Sequence, residues 1–260
     1  MKPASLFTKI VCGVDGSPEG LEAVKQAQRL APAGAKLTLI SVSESHLAAR
    51  TGPFAPEWAQ RLHDEAQAAL DEARKIVDEA DTILLHGRAA DTFVHAVNDQ
   101  RATLAAVGSR EISRAVGILI GSVVTRVLHE APCSVLVARA GEWPWPRSIV
   151  VGIDGSDGSF AAAAVAHDVA TRTGSTVRLL VARGASPDDV ATEALAKFGY
   201  DLAVSDEKPV PALLEAARDA DLLVVGSRGV TGLRALGSVS ERVAHQARSS
   251  VLVVRPRPRG

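Results

Sequence analysis

The sequence predicts an α/β protein built from two doubly wound domains, each a parallel sheet covered by helices. Three observations carry this prediction. Short runs rich in Val, Leu and Ile alternate with segments of helical period along the whole chain. The motifs occur twice in the same order: KIVCGVDGSPEG recurs as SIVVGIDGSDGS, and GSVVTRVLHEAPCSVLVAR recurs as GSVSERVAHQARSSVLVVR. The chain has 260 residues, 47% of them apolar, enough for two cores of ordinary size. Domain 1 is placed at 1–140 and domain 2 at 147–260. The Pro-rich stretch RAGEWPWPR, 139–147, reads as an extended, stiff linker.

In the first repeat the strands read as KIVCGV, KLTLISV, TILLH, TLAAVG and SVLVA, with helices near 18–32, 56–79, 90–101 and 121–131. The second of these helices sets Trp58, Leu62, Ala66, Ala69, Ala73 and Ile76 on one stripe. In the second repeat the strands read as SIVVGI, TVRLLVA, DLAVS, DLLVVG and SVLVV. Most are continuously apolar, as strands covered on both faces require. Right-handed crossovers between them give a doubly wound sheet. The first repeat spends 39 residues between its second and third strands (43–81), the second only 18 (183–200). The surplus either covers the mouth of a first site or extends the helical layer.

If strand order reverses beside the first strand, the first and fourth strands become neighbours, and ligands bind beyond their carboxyl ends. Two motifs meet there. One is the Asp-Gly-Ser turn at Asp15 and again at Asp154. The other is the glycine loop after the fourth strand, from Gly108 in the first repeat and from Gly226, Arg228 and Gly229 in the second. Gly226 and Gly229 allow a sharp turn and close backbone approach to a ligand. Gly237 and Ser238 open the last helix, whose first N–H groups lack intrahelical partners and attract an anion. Ser238 and Ser240 offer hydroxyl donors, and Asp154 can face a divalent cation carried by phosphates. Each feature also has a plainer structural role: glycines end strands, Ser238 caps a helix, and Asp15 and Asp154 form Asx turns.

With these residues the chain resembles the universal stress proteins in tandem form. That family's nucleotide pattern is similar to Gly-x2-Gly-x9-Gly-[Ser/Thr] after the fourth strand, with an Asp ending the first. The resemblance spans nearly the whole chain, twice. It implies a Rossmann-like sandwich of the adenine nucleotide alpha hydrolase type, with five parallel strands ordered 3-2-1-4-5 in each domain. In the family's ATP-binding branch ATP sits at this switch point, while another branch lacks the motif and binds no nucleotide; a Mg²⁺ on the phosphates would meet Asp154. Adenine would lie near Val42 or Ala182. The phosphates would meet Gly226, Gly229, Gly237, Ser238, Val239 and Ser240 in domain 2, or Gly108, Gly121, Ser122 and Val123 in domain 1.

Both repeats depart from the pattern. The first keeps its length, but Glu111 replaces the second glycine. A carboxylate about 4 Å from a phosphate charge is repelled by about 4 kcal/mol at an effective dielectric near 20. The second keeps its glycines but is two residues shorter between Gly229 and Gly237. Domain 2 is therefore the expected site. No P-loop lysine motif, dinucleotide turn, nucleophile elbow or kinase catalytic loop occurs. The expected activity is binding in a stress response rather than catalysis. A nucleotide-free interaction module with vestigial sites is the alternative, and slow ATP hydrolysis or autophosphorylation a weaker one.

The fifth strands SVLVA and SVLVV read as apolar sheet edges that invite mutual pairing. Such pairing gives an internal pseudo-dimer, and the resemblance extends this to homodimers. The histidines at matching places in the last helices, His129 and His245, pack near that pairing and have no metal-ligand spacing. Trp143 and Trp145 pin the linker to a surface. A net charge of −1 predicts no nucleic-acid partner. The absence of long apolar runs predicts no membrane partner, and Cys12 and Cys133 in apolar stretches predict reduced thiols in the cytoplasm.

Overall fold

The computed structural model describes residues 7–109, 111–112, 119–182, 192–193, 196–227 and 236–255; for 49–53, 111–112 and 119–120 it describes the backbone. The chain divides into two compact units, Phe7–Pro132 and the residues from Cys133 onward.

The unit Phe7–Pro132 holds four parallel strands: β1 (Lys9–Gly13), β2 (Lys36–Ser43), β3 (Asp81–His86) and β4 (Leu104–Gly108). β1 is central, paired with β2 on one side and β4 on the other, and β3 lies outside β2. The first and fourth strands are thus neighbours, as a switch point requires. Helix α1 (Pro18–Leu30) starts because Ser17 caps it, accepting from Gly20 N–H, and Pro18 presets the first turn. Helices α2 (Ala55–Arg74), α3 (Ala89–Asp99) and α4 (Ser122–Glu130) complete the cover. In the loop between β4 and α4 two short segments, β5 (Glu111–Ile112) and β6 (Leu119–Ile120), pair antiparallel, with Glu111 opposite Ile120.

The surplus length of the first repeat extends the helical layer. Residues Ser45–Phe54 form a 3₁₀ segment leading into α2, which buries Ala66, Ala69, Leu70 and Ala73. The expected stripe is shorter than the period suggests: Trp58 is 47% exposed, and α2 ends at Arg74 rather than 79. There the chain turns tightly, with Ile76 N–H bonding to Ala73 O and Ala80 N–H to Val77 O.

The second unit contains β8 (Ser148–Ile153), β9 (Thr176–Ala182), β10 (Asp201–Ser205), β11 (Leu222–Gly226) and β12 (Ser250–Val254). Their order, β10-β9-β8-β11-β12, is the expected 3-2-1-4-5, all parallel. Helices α5 (Asp157–Thr173), α6 (Pro209–Ala216) and α7 (Ser238–Gln246) are described here. Ser156 caps α5, and Gly174 ends it at φ +77.

This unit also holds β7 (Ser134–Ala138), the fifth strand of the first repeat, paired antiparallel with β12 in the register Val251 to Val137. Both strands are buried along their whole length, and their antiparallel pairing is the mutual pairing the sequence predicts. Arg139 fastens the pair: its backbone N–H bonds to Ser250 Oγ, and its buried guanidinium donates to Ser249 O and Ala244 O. The unit boundary therefore precedes the Pro-rich stretch. That stretch is packed rather than extended, because Trp145 is fully buried and its indole N–H donates to Asp221 O. Trp143 remains 46% exposed.

Among the described residues no helix is long and apolar enough to cross a membrane.

Candidate functional site

Each unit has one crevice at the carboxyl ends of its first and fourth strands. In the second unit it encloses about 180 Å³. Six elements build it, α5 contributing its cap Ser156 and Ser159. β8 ends in Ile153 and the turn through Asp154, and β9 contributes Leu180 and Ala182. β11 contributes Val225 and Gly226, α6 contributes Pro209 and Leu213, and α7 opens with Gly237, Ser238, Val239 and Ser240. The crevice of the first unit, about 220 Å³, repeats this plan with Asp15, Val42, Gly108, Gly121, Ser122 and Val123, and with Ala89 and Phe93 from α3. Every expected site residue inside the described stretches lines one of these crevices. Arg228 and Gly229 lie outside the described residues.

The acidic turns have the same construction. Asp154 Oδ1 accepts from Ser156 N–H at 3.1 Å and from Ser156 Oγ–H at 2.6 Å, while Ser156 Oγ accepts from Ser159 N–H. Asp15 and Ser17 make the same bonds, with Ser17 Oγ accepting from Gly20 N–H at 3.1 Å. Gly16 and Gly155, at φ +76 and +79, supply the left-handed step between them. The Asp is thus an Asx-turn residue that lines its crevice, and the serine is the helix cap, which in the second unit lines the crevice as well.

Gly226 and Gly108 answer a different demand from the one expected. A Cβ at Gly226 would fall 2.5 Å from Gly158 O and 2.8 Å from Ser159 N, and one at Gly108 would fall 2.6 Å from Gly20 N. These glycines let the first turn of α5 or α1 cross the end of the fourth strand. Their absent side chains are explained by a helix, not by a ligand.

The start of α7 supplies the donors. Gly237 is its N-cap without a side-chain cap, and the first helical bond runs from Glu241 N–H to Gly237 O. The N–H groups of Ser238, Val239 and Ser240 therefore stand before that first bond, at the positive end of the helix dipole. Ser240, expected to offer its hydroxyl to a ligand, instead donates it to Gly226 O at 2.7 Å. Its remaining donor is the backbone N–H.

Each crevice also has an apolar wall. Pro209 and Leu213 in one, and Ala89 and Phe93 in the other, stand four apart at the start of matching helices. Sequence reasoning missed them. The recurrence of the same spacing after the third strand of both repeats is the signal that marks them.

Among the described residues no group of three or more His, Cys, Asp or Glu side chains is placed to hold an ion. Asp154 alone does not fit a resident metal site. A Mg²⁺ ion fits only as one carried in on phosphates.

Fold and crevice define a doubly wound α/β protein of two repeats, with a helix N-terminus and an acidic turn facing each other across every switch point. The universal stress protein family model matches residues 6–139 and 189–255. A universal stress protein of Mycolicibacterium smegmatis is 32% identical over 95% of this chain and 97% of its own length. Universal stress protein Rv2623 of Mycobacterium tuberculosis is 30% identical over 95% of this chain and 96% of its own. A solved universal stress protein from Archaeoglobus fulgidus shares the fold with a TM-score of 0.73 at 20% identity, covering 95% of this chain and 98% of that one. The chain belongs to the universal stress protein family, as a tandem member.

Proposed function

We propose that this chain is a stress-response binding protein that holds an adenine nucleotide, ATP carried with Mg²⁺, in the crevice of its second unit. The observation that carries this reading is the pairing of an apolar base end with an amide-rich anion end in one cavity. Leu180, Ala182, Pro209 and Leu213 give a purine an apolar slot, and the N–H groups that open α7 face the place its phosphates reach. Asp154 is the only ionisable side chain among the described residues that line this crevice, and its Oδ1 is already held by Ser156. The site is accordingly one for holding a ligand rather than for turning it over.

A second reading, a nucleotide-free interaction module, has a specific observation behind it. Gly226, Ser240 and Asp154 all have complete structural roles without a ligand.

Thermal melting with and without ATP–Mg²⁺ separates the two. A ligand at 100 times its dissociation constant adds about 2.7 kcal/mol of stability. A rise in midpoint that grows with ATP concentration supports the binding protein. An unchanged midpoint, with no adenine nucleotide carried through purification, supports the module.

A further inference from the structure

Phe54 and Trp58 stand one turn apart at the start of α2 and are 61% and 47% exposed. With Leu47 of the preceding 3₁₀ segment they make three of the five large apolar side chains exposed among the described residues. Single apolar side chains are ordinary on a surface, but a contiguous group marks an interaction site. This group lies in the connection between second and third strands, the one that is longer in the first repeat.

The charges on the same face are ordered. Phe54, Trp58, Arg61 and Glu65 follow one another at helical spacing, and Glu57 lies beside them. The Arg61 guanidinium rests on the Trp58 ring, 5.4 Å from its centroid, and donates to Glu65 Oε1 at 2.9 Å. Both partners of that ion pair are more than half exposed, so the pair holds little free energy and exchanges at little cost.

Glu57 and Arg61 occupy one flank of the row and Trp58 the other, as the helical period of 3.6 dictates. That arrangement is its own complement under a twofold axis. When a second α2 lies antiparallel across the first, the axis keeps each flank on its own side of the seam. With the axis at the level of Ala59, Glu57 of each copy meets Arg61 of the other, and the two Trp58 rings meet on the opposite flank. The fifth strands do not offer themselves for this purpose, because β7 and β12 pair with each other and are buried.

We propose that this face of α2 is a homodimer interface, occupied by the same face of a second copy of this chain. Aromatic side chains and arginine are the residues that interface cores favour, with Trp and Arg prominent among hot spots. The self-match in charge selects a second copy over a foreign helix, which would need an acid and a cation of its own at the same spacing. The proposal is independent of what the crevices hold.

The test follows association of the full chain by sedimentation equilibrium, with circular dichroism as the check on folding. The unsubstituted chain is expected to dimerise. Trp58→Ser is expected to raise the dissociation constant at least about tenfold. Glu57→Arg and Arg61→Glu are each expected to weaken the dimer about tenfold, because each sets like charges against one another across the seam. An equimolar mixture of these two variants is expected to regain dimers within several-fold of the unsubstituted affinity, since both contacts then join opposite charges. A chain that stays monomeric up to about 100 µM overturns the proposal and leaves the face to a foreign partner. A dimer that Trp58→Ser leaves unchanged overturns it by placing the contact elsewhere. A mixture as dissociated as its two components overturns it by removing the reciprocal pairing that selects a second copy.

Discussion

Ser240 Oγ donates a 2.7 Å hydrogen bond to the carbonyl oxygen of Gly226, tying the first turn of α7 to the end of β11. The bond spans the segment whose glycines draw attention in the sequence. It holds the helix start over the strand end. Ser240 is 4% exposed, so water does not replace the bond when it is lost. Ser240→Ala is expected to cost about 1 kcal/mol of stability in denaturant melts. It should also weaken ATP binding several-fold, because the donors that open α7 lose their fixed position. Unchanged stability and affinity would show that the strand and helix are held by packing alone.

Gly226 allows α5 to cross β11, so Gly226→Ala brings a methyl group against the backbone of Gly158 and Ser159. That contact is with backbone, which cannot rotate away. A loss of about 2 kcal/mol or more in chemical unfolding is expected, and the same from Gly108→Ala in the first unit. A Gly226→Ala chain of full stability that fails to bind ATP would return this glycine to the role of ligand approach.

Arg139 is 6% exposed and supplies a backbone N–H to Ser250 and guanidinium donors to Ser249 O and Ala244 O. Arg139→Met keeps much of the stem and removes the donors. It leaves buried carbonyls unsatisfied, and about 2–3 kcal/mol of destabilisation is expected. Hydrogen exchange should rise in β7 and β12, the antiparallel pair it fastens, before it rises in β8. Uniform exchange across the unit would contradict that local role.

Burial pushes the Cys12 thiol up to about 12 from its ordinary 9.0. The folded state therefore keeps its proton where the unfolded chain releases it. The associated stability is fully present below pH 9.0 and declines as pH rises from there toward about 12. The slope from this group alone approaches about 1.4 kcal/mol per pH unit within that window. Cys12→Ala should flatten the alkaline limb of a stability–pH curve relative to the unsubstituted chain. Native Cys12 should resist iodoacetamide until the chain unfolds. Parallel alkaline limbs would assign the decline to other groups.

The strands and both crevices were legible from the sequence because their signals are local and doubled. Ser148–Ile153 is apolar enough to be a strand covered on both faces. The repeated Asp-Gly-Ser and Gly-Ser motifs mark the two sides of one crevice once the first and fourth strands are neighbours. What stayed hidden depends on partners distant in the chain. The apolar edge β7 announced its partner, the matching fifth strand, but not the Arg139 contacts to Ser249 O and Ala244 O that fasten the pair. Gly226 reads as a strand end or a ligand approach, and only the position of Gly158 reveals the helix crossing. The bond from Ala89 N–H to Glu44 joins the start of α3 to the end of β2, and nothing in either segment points to the other.

Asp154 and Gly237 line the same crevice, one from an acidic turn and the other from a helix start. The account depends on that crevice receiving the phosphates of an adenine nucleotide. Calorimetric titration of ATP–Mg²⁺ into the unsubstituted chain and into Gly237→Val tests this most directly. Saturable binding that Gly237→Val abolishes, with its melting midpoint in the absence of ligand preserved, is the predicted result. Equal ATP affinity in both chains would contradict it.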